Sequence, residues 1–355
     1  MAFEIGVLTF GEVTEDPTTG ELPSPRERMR ETVELAEVAD QVGLDVFAVG
    51  EHHRTDFVAS APPVILAAAA QATRDIRLSS GVTVLSSDDP VRVWEQFATV
   101  DLISGGRAEI IAGRGSYTES FPLFGYDLAD YSELFAEKLD LLLRIREENP
   151  ITWSGRLRPS LDHADIAPRA DGDTLPIWVG VGGTPASAIR AGQLGVPMML
   201  ALLLGPIGFH EESVRLYRRA AAEAGHDPDA LRIGLTAHGY VGRTSRHARD
   251  TMYPYFAKGM ADNNHQRGRG FRIPRQAFDA HTAPGAGLLA GSPQEVIDKL
   301  LAYHELYGLD RVLLQAGFGG MPQKEVLDGI ERLGSEVAPV VRREATGSRS
   351  GGGIS

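Results

Sequence analysis

The 355-residue sequence contains no cysteine. That removes disulfides, thiolate nucleophiles and cysteine-ligated zinc or iron–sulfur centres, so any redox chemistry falls to a bound cofactor. Positive charge is also scarce: 35 Lys and Arg against 48 Asp and Glu leave a formal charge of −13. A nucleic-acid binder needs a basic face to displace counterions, so neither nucleic acid nor an anionic membrane is an expected partner. The start, MAFEIGVLTFGEV, lacks a basic segment followed by a long apolar run. It reads as a first strand and not a signal peptide, and a cytoplasmic protein is expected. The turn Phe10-Gly11-Glu12-Val13 carries no GxGxxG, which argues against a dinucleotide-binding open sheet.

What is present is ordinary for a globular protein, with 43% apolar and 23% charged residues. Short apolar runs alternate with stretches at helical period, the pattern of a parallel sheet with crossover helices. Strands are expected at 5–9, 45–49, 76–84, 108–112, 176–181, 196–204, 231–237 and 310–315, with helices at 25–42, 64–72 and 131–147 among them. Eight strands predict an α/β fold, a (β/α)8 barrel, over residues 1–342 as one domain. Insertions are expected after strands 4 and 7. The first is an excursion at 150–176. The second, 259–289, carries Arg267, Arg269, Arg272 and Arg275 and reads as a lid, though a solvated loop fits the same composition. Residues 343–355 are expected to be a disordered tail.

Barrel sites are built where strands end, and three clusters fall there. Glu51-His52-His53 follows strand two and supplies imidazoles that titrate near neutral pH. Adjacent histidines on extended chain point in opposite directions, so one faces the cavity; a purely structural pair is an equally good reading of the spacing. Neighbouring histidines chelate poorly, and no metal site is expected. Gly113-Arg114-Gly115-Ser116-Tyr117 follows strand four and presents an arginine between glycines, suited to bidentate phosphate recognition or, alternatively, to a wall salt bridge. Val181-Gly182-Gly183-Thr184-Pro185-Ala186-Ser187 follows strand five, where glycine amides and a Thr-Pro helix start suit an anion. The same residues also make an ordinary helix start.

These segments resemble the bacterial luciferase-like flavin monooxygenases (luciferase-like, LLM class flavin-dependent oxidoreductases). The similarity runs over roughly residues 3–340 and rests on four stretches: 43–53, ending Gly-Glu-His-His53; 77–85 with Asp89-Pro-Val-Arg92; 104–107 through Gly113-Arg-Gly115; and 191–198. The resemblance implies reduced FMN across the mouth, with its phosphate near Arg114, Thr184, Ser187 and the Gly182-Gly183 turn. It places His52, with Glu51 and His53 in the same segment, beside the flavin ring. It also implies a cis peptide at Gly81-Val82. Two departures stand out: Gly113 occupies the place of the luciferase cysteine, and a second luciferase arginine aligns near Ser132, leaving a less cationic grip. The implied reaction is oxygenation of a small organic substrate by reduced FMN and O2 through a flavin hydroperoxide, with a separate flavin reductase and a homodimer paired through barrel helices. A deazaflavin-dependent dehydrogenase or reductase on the same fold, or a non-catalytic flavin-binding protein, are the alternatives.

Overall fold

The computed structural model describes residues 3–115, 117–172, 175–265 and 271–350. The strands are β1 (Glu4–Thr9), β2 (Val46–Val49), β3 (Arg77–Ser80), β4 (Thr83–Val84), β5 (Ala108–Gly113), β6 (Ile151–Trp153), β7 (Leu161–Ala164), β8 (Ile177–Val181), β9 (Met198–Leu202), β10 (Ile233–Val241), β11 (Leu289–Gly291) and β12 (Arg311–Gln315). The helices used below are α1 (Pro25–Gln41), α2 (Pro62–Ala72), α3 (Pro90–Ser104), α4 (Ser120–Phe124), α5 (Tyr131–Glu147), α6 (Pro185–Gln193), α7 (Glu211–Glu223), α8 (Ser245–His265), α9 (Arg275–His281), α10 (Pro293–Tyr307), α11 (Gln323–Arg332) and α12 (Ala338–Ser350).

The barrel closes because β12 pairs in parallel with both β1 and β10. The remaining barrel strands follow in order as β2, β3, β5, β8 and β9, all parallel. Local signals set the helix starts. Ser24 and Glu27 form a capping box on α1, Ser292 and Glu295 one on α10, and the Asp89 carboxylate caps α3. Leu8, Val46, Ala48, Ile111, Trp178, Met199 and Leu313 fill the barrel interior, while alternate residues such as Val7, Phe47, Ile110 and Val179 pack outward against the helices. At the closed end the fully buried Arg311 lies over Trp178, 4.4 Å from the ring centroid, and is paired with Glu109 and Glu4.

The structure departs from the sequence expectations at three places. The stretch 76–84 is not one strand: a cis peptide at Gly81-Val82 separates β3 from β4. β10 runs past 237 to Val241, where its end pairs with β11. Residues 343–350 are not a disordered tail but the continuation of α12, because Val341 and Ala345 are buried against the core. Residues 351–355 lie outside the described residues. The excursion 150–176 contains the antiparallel hairpin of β6 and β7, separate from the barrel sheet. Within 259–289, the end of α8, all of α9 and the start of β11 are regular. Arg275 is tied to Asp250 and Asp279, so its charge is compensated locally. Arg267 and Arg269 lie outside the described residues.

Candidate active site

The segment after β2 enters the mouth of the barrel with two imidazoles in separate environments. His52 is 7% exposed and packs among three rings, with centroid distances of 4.8 Å to Phe10, 4.5 Å to Phe57 and 4.6 Å to Tyr117. Its Nδ1 lies 3.3 Å from Oε1 of Glu119, which precedes α4. His53 turns to Glu51, with Nε2 2.8 Å from Oε1, and its ring meets Phe124 edge-on. The other Glu51 oxygen accepts the Val84 amide at 2.9 Å. Glu51 thus joins the His53 ring to the chain just beyond the Gly81-Val82 cis peptide. Its hydrogen bond to His53 holds that imidazole above its ordinary pKa.

Two strands further round, Arg114 leaves the end of β5 and donates from Nη2 to Thr184 Oγ1 at 3.3 Å and to Ser187 Oγ at 3.1 Å. Its guanidinium lies 5.2 Å from the Tyr131 ring centroid, and the Tyr131 hydroxyl donates to the Gly115 carbonyl at 2.5 Å. Thr184 is the N-cap residue of α6, yet its side chain makes no capping hydrogen bond; it accepts from Arg114 instead. Gly183 has a φ of +107°, a conformation that disfavours a side chain, and a Cβ placed on Gly182 would meet open space. Arg114, Thr184, Ser187 and the glycine turn therefore meet at one helix N-terminus. Ser116 lies outside the described residues.

Arg190 was not among the expected residues. It lies on α6 three positions after Ser187, on the same helical face, with its guanidinium 5.7 Å from the Phe135 ring centroid. Burial, and then the neighbouring charge of Arg114, hold it below its ordinary pKa. A second arginine thus lies near Arg114, on α6 and not near Ser132. Among the described residues neither arginine has a carboxylate within ion-pair distance. Arg114 with two hydroxyls at a helix N-terminus, and a second arginine near enough to feel its charge, have the chemistry that suits a dianionic phosphate, which would relieve the repulsion between the cations. Flavin phosphate fits this donor set. The i, i+3 spacing from Ser187 was the signal for Arg190. Glu119 had none, because its pairing with His52 joins loops 67 residues apart.

Residues 3–310 match the family model described as luciferase-like monooxygenase. The N-acetyl-S-alkylcysteine monooxygenase of Bacillus subtilis is 32% identical over 205 residues, 57% of this chain and 58% of that protein. The oxygenase component of the flavin-dependent trigonelline monooxygenase of Acinetobacter baylyi is 26% identical over 89% of this chain and 92% of its own length. The crystal structure of the monooxygenase RslO1 from Streptomyces bottropensis superposes with a TM-score of 0.80 at 25% identity, covering 95% of this chain and 99% of that one. With a family match that spans most of the barrel, the chain belongs to the luciferase-like monooxygenase family.

Proposed function

We propose that this protein is the oxygenase of a two-component system that uses reduced FMN and O2 to oxygenate a small organic substrate. The observation that carries the reading is the meeting of Arg114 with Thr184 and Ser187 at the start of α6, with Arg190 of the same helix near enough to feel the charge of Arg114. These residues would hold the flavin phosphate, the arginines by charge and the hydroxyls by hydrogen bonds. Gly182 and Gly183 leave room for the ligand to approach the backbone. Bound reduced flavin supplies the activation of O2 and the transfer of one oxygen atom. The chain supplies the surroundings: Phe10, Phe57 and Tyr117 exclude water around the His52 ring, and Glu119 fixes one of its nitrogens. The other nitrogen of His52 is then the proton-handling atom of the site, while Glu51 and His53 position the wall beside it.

No nicotinamide-binding motif follows the first strand, so a separate reductase would deliver the reduced flavin. The relative named as an oxygenase component supports that division. Two copies would pair over α2 and α3, where Val64, Leu102 and Ile103 are exposed; light scattering at a monomer mass would remove that part of the reading.

Titration with FMN and, separately, with a deazaflavin tests the cofactor. Tighter binding of the deazaflavin, without oxygen-dependent turnover of FMN, would turn the reading into a dehydrogenase. With FMN bound, His52→Ala is expected to leave cofactor affinity within a few-fold and to lower product formation by about 100-fold or more, as for loss of a general acid or base. Equal rates would take His52 out of the mechanism.

A further inference from the structure

Arg114 and Arg190 come from different elements, the end of β5 and the middle of α6, yet both rest on α5. That helix carries Tyr131 and Phe135 four positions apart, on one helical face. The Arg114 guanidinium lies 5.2 Å from the ring centroid of Tyr131, and the Arg190 guanidinium 5.7 Å from that of Phe135.

Both rings are themselves held. Phe135 is buried in the core between the barrel and its helices. Tyr131 packs against the buried Phe121, with centroids 5.4 Å apart, and its hydroxyl donates to the Gly115 carbonyl. Burial keeps that hydroxyl above its ordinary pKa, so it is a neutral donor beside the arginine. Gly115 has a φ of +76°, and a Cβ there would meet Val84 at 2.8 Å. Arg114 is thus fixed twice from α5: through the backbone of the next residue and through its own guanidinium.

Neighbouring arginines in a folded chain ordinarily recruit a carboxylate. The closed end of this barrel does so, where Arg232 and Arg311 share Glu4. Among the described residues Arg114 and Arg190 have no carboxylate within ion-pair distance. A carboxylate would hold such a pair but would also neutralise it and compete with an anionic ligand. An aromatic face attracts a cation through the ring quadrupole and adds no charge.

We propose that Tyr131 and Phe135 are positioning residues of the phosphate site. Their rings hold Arg114 and Arg190 in the place of a carboxylate and so set the preference for phosphorylated over unphosphorylated flavin. The assignment rests on the flavin-phosphate reading above. Both residues act through the arginines, Tyr131 more strongly because it also tethers Gly115.

The test compares FMN with riboflavin, which keeps the ring system and lacks the phosphate. Both are titrated by flavin fluorescence quenching into wild type, Tyr131→Leu, Tyr131→Phe and Phe135→Leu. We expect wild type to prefer FMN. Tyr131→Leu should weaken FMN about fivefold to tenfold and Phe135→Leu about twofold to threefold, with riboflavin changed by less than about twofold in each. Tyr131→Phe, which keeps the ring and loses the tether, should fall between wild type and Tyr131→Leu. Because Tyr131 acts through Arg114, adding Tyr131→Leu to Arg114→Ala should cost less than about twofold more. If FMN and riboflavin bind the leucine variants as they bind wild type, weaken in parallel or are lost together, the rings serve packing alone and the assignment is overturned. A full further loss in the double variant overturns it too. Wild type without a preference for FMN overturns the phosphate reading and this assignment with it. A preference that the leucine variants keep overturns this assignment alone.

Discussion

The two halves of the barrel mouth are built on opposite plans. On the side of β2 to β8 the charged groups are held by the protein itself: both Glu51 oxygens are used and Arg114 reaches two hydroxyls, while the buried Thr83 and Ser86 hydroxyls have no partner among the described residues. On the side of β9, β10 and β12, neither ring nitrogen of His238 has a partner among the described residues. The first half holds its charged groups in place through the protein's own hydrogen bonds. The second buries an uncharged imidazole beside the rings of Phe256 and Phe318.

The comparison makes the two halves respond differently to mutation and pH. The largest expected effect is at His238. A folded-state pKa of about 4 against an ordinary 6.5 corresponds to on the order of 3 kcal/mol. The sign follows from the depressed value: below pH 6.5 the unfolded chain takes up a proton that the folded chain refuses. Stability is then complete above that pH and falls as the pH drops toward 4. His238→Phe should flatten this acid limb in urea denaturation between pH 4 and 7; a limb of unchanged slope would show that the ring charges freely. Next is Arg114→Ala, expected to weaken FMN by about tenfold to a hundredfold, since a charged phosphate contact contributes about 1.5–3 kcal/mol. Retained FMN affinity would remove the phosphate site from this half.

A smaller loss is expected for Arg190→Ala, about threefold to tenfold, because its guanidinium also stacks near Phe135 and has no hydroxyl partners among the described residues. The two arginine losses should not add, because removing one cation also removes repulsion from the other. A strictly additive double-mutant cycle would mean that they do not share an anion. The smallest effect concerns His53, whose pKa is raised by Glu51. For a raised histidine the stabilisation is full below about 6.5 and fades as pH rises through the raised value. The melting temperature gap between wild type and His53→Gln should therefore narrow from pH 6 to pH 9; a constant gap would assign the effect to packing alone.

Much of this site was legible because its residues sit where chain chemistry is local. Gly113-Arg114-Gly115 and Gly183-Thr184-Pro185 each mark a strand end on their own, and the order of strands brings them to one rim. Arg190 was half legible, sharing a helical face with Ser187. His238 was hidden inside the strand β10, beyond the expected end at 237, and nothing in Ala237-His238-Gly239 says that the ring lacks a partner. The helical end of the chain was misread for a related reason. Its composition is that of a solvated tail, but Val341 and Ala345 find a surface to bury against only once the barrel exists.

The amino-acid order by itself determined that any redox chemistry must come from a cofactor, since cysteine is absent. It determined an alternating α/β chain through the periodicity of its apolar residues, and helix starts through Ser24, Asp89 and Ser292. These are properties of one residue or one turn. The tertiary structure alone decided which groups are satisfied and which are not: that Thr184 accepts from Arg114 in place of capping its helix, that Glu119 reaches His52, and that His238 faces none. Hydrogen bonding and desolvation depend on what lies within about 3 Å of an atom, and in a closed barrel those neighbours come from strands far apart in the chain.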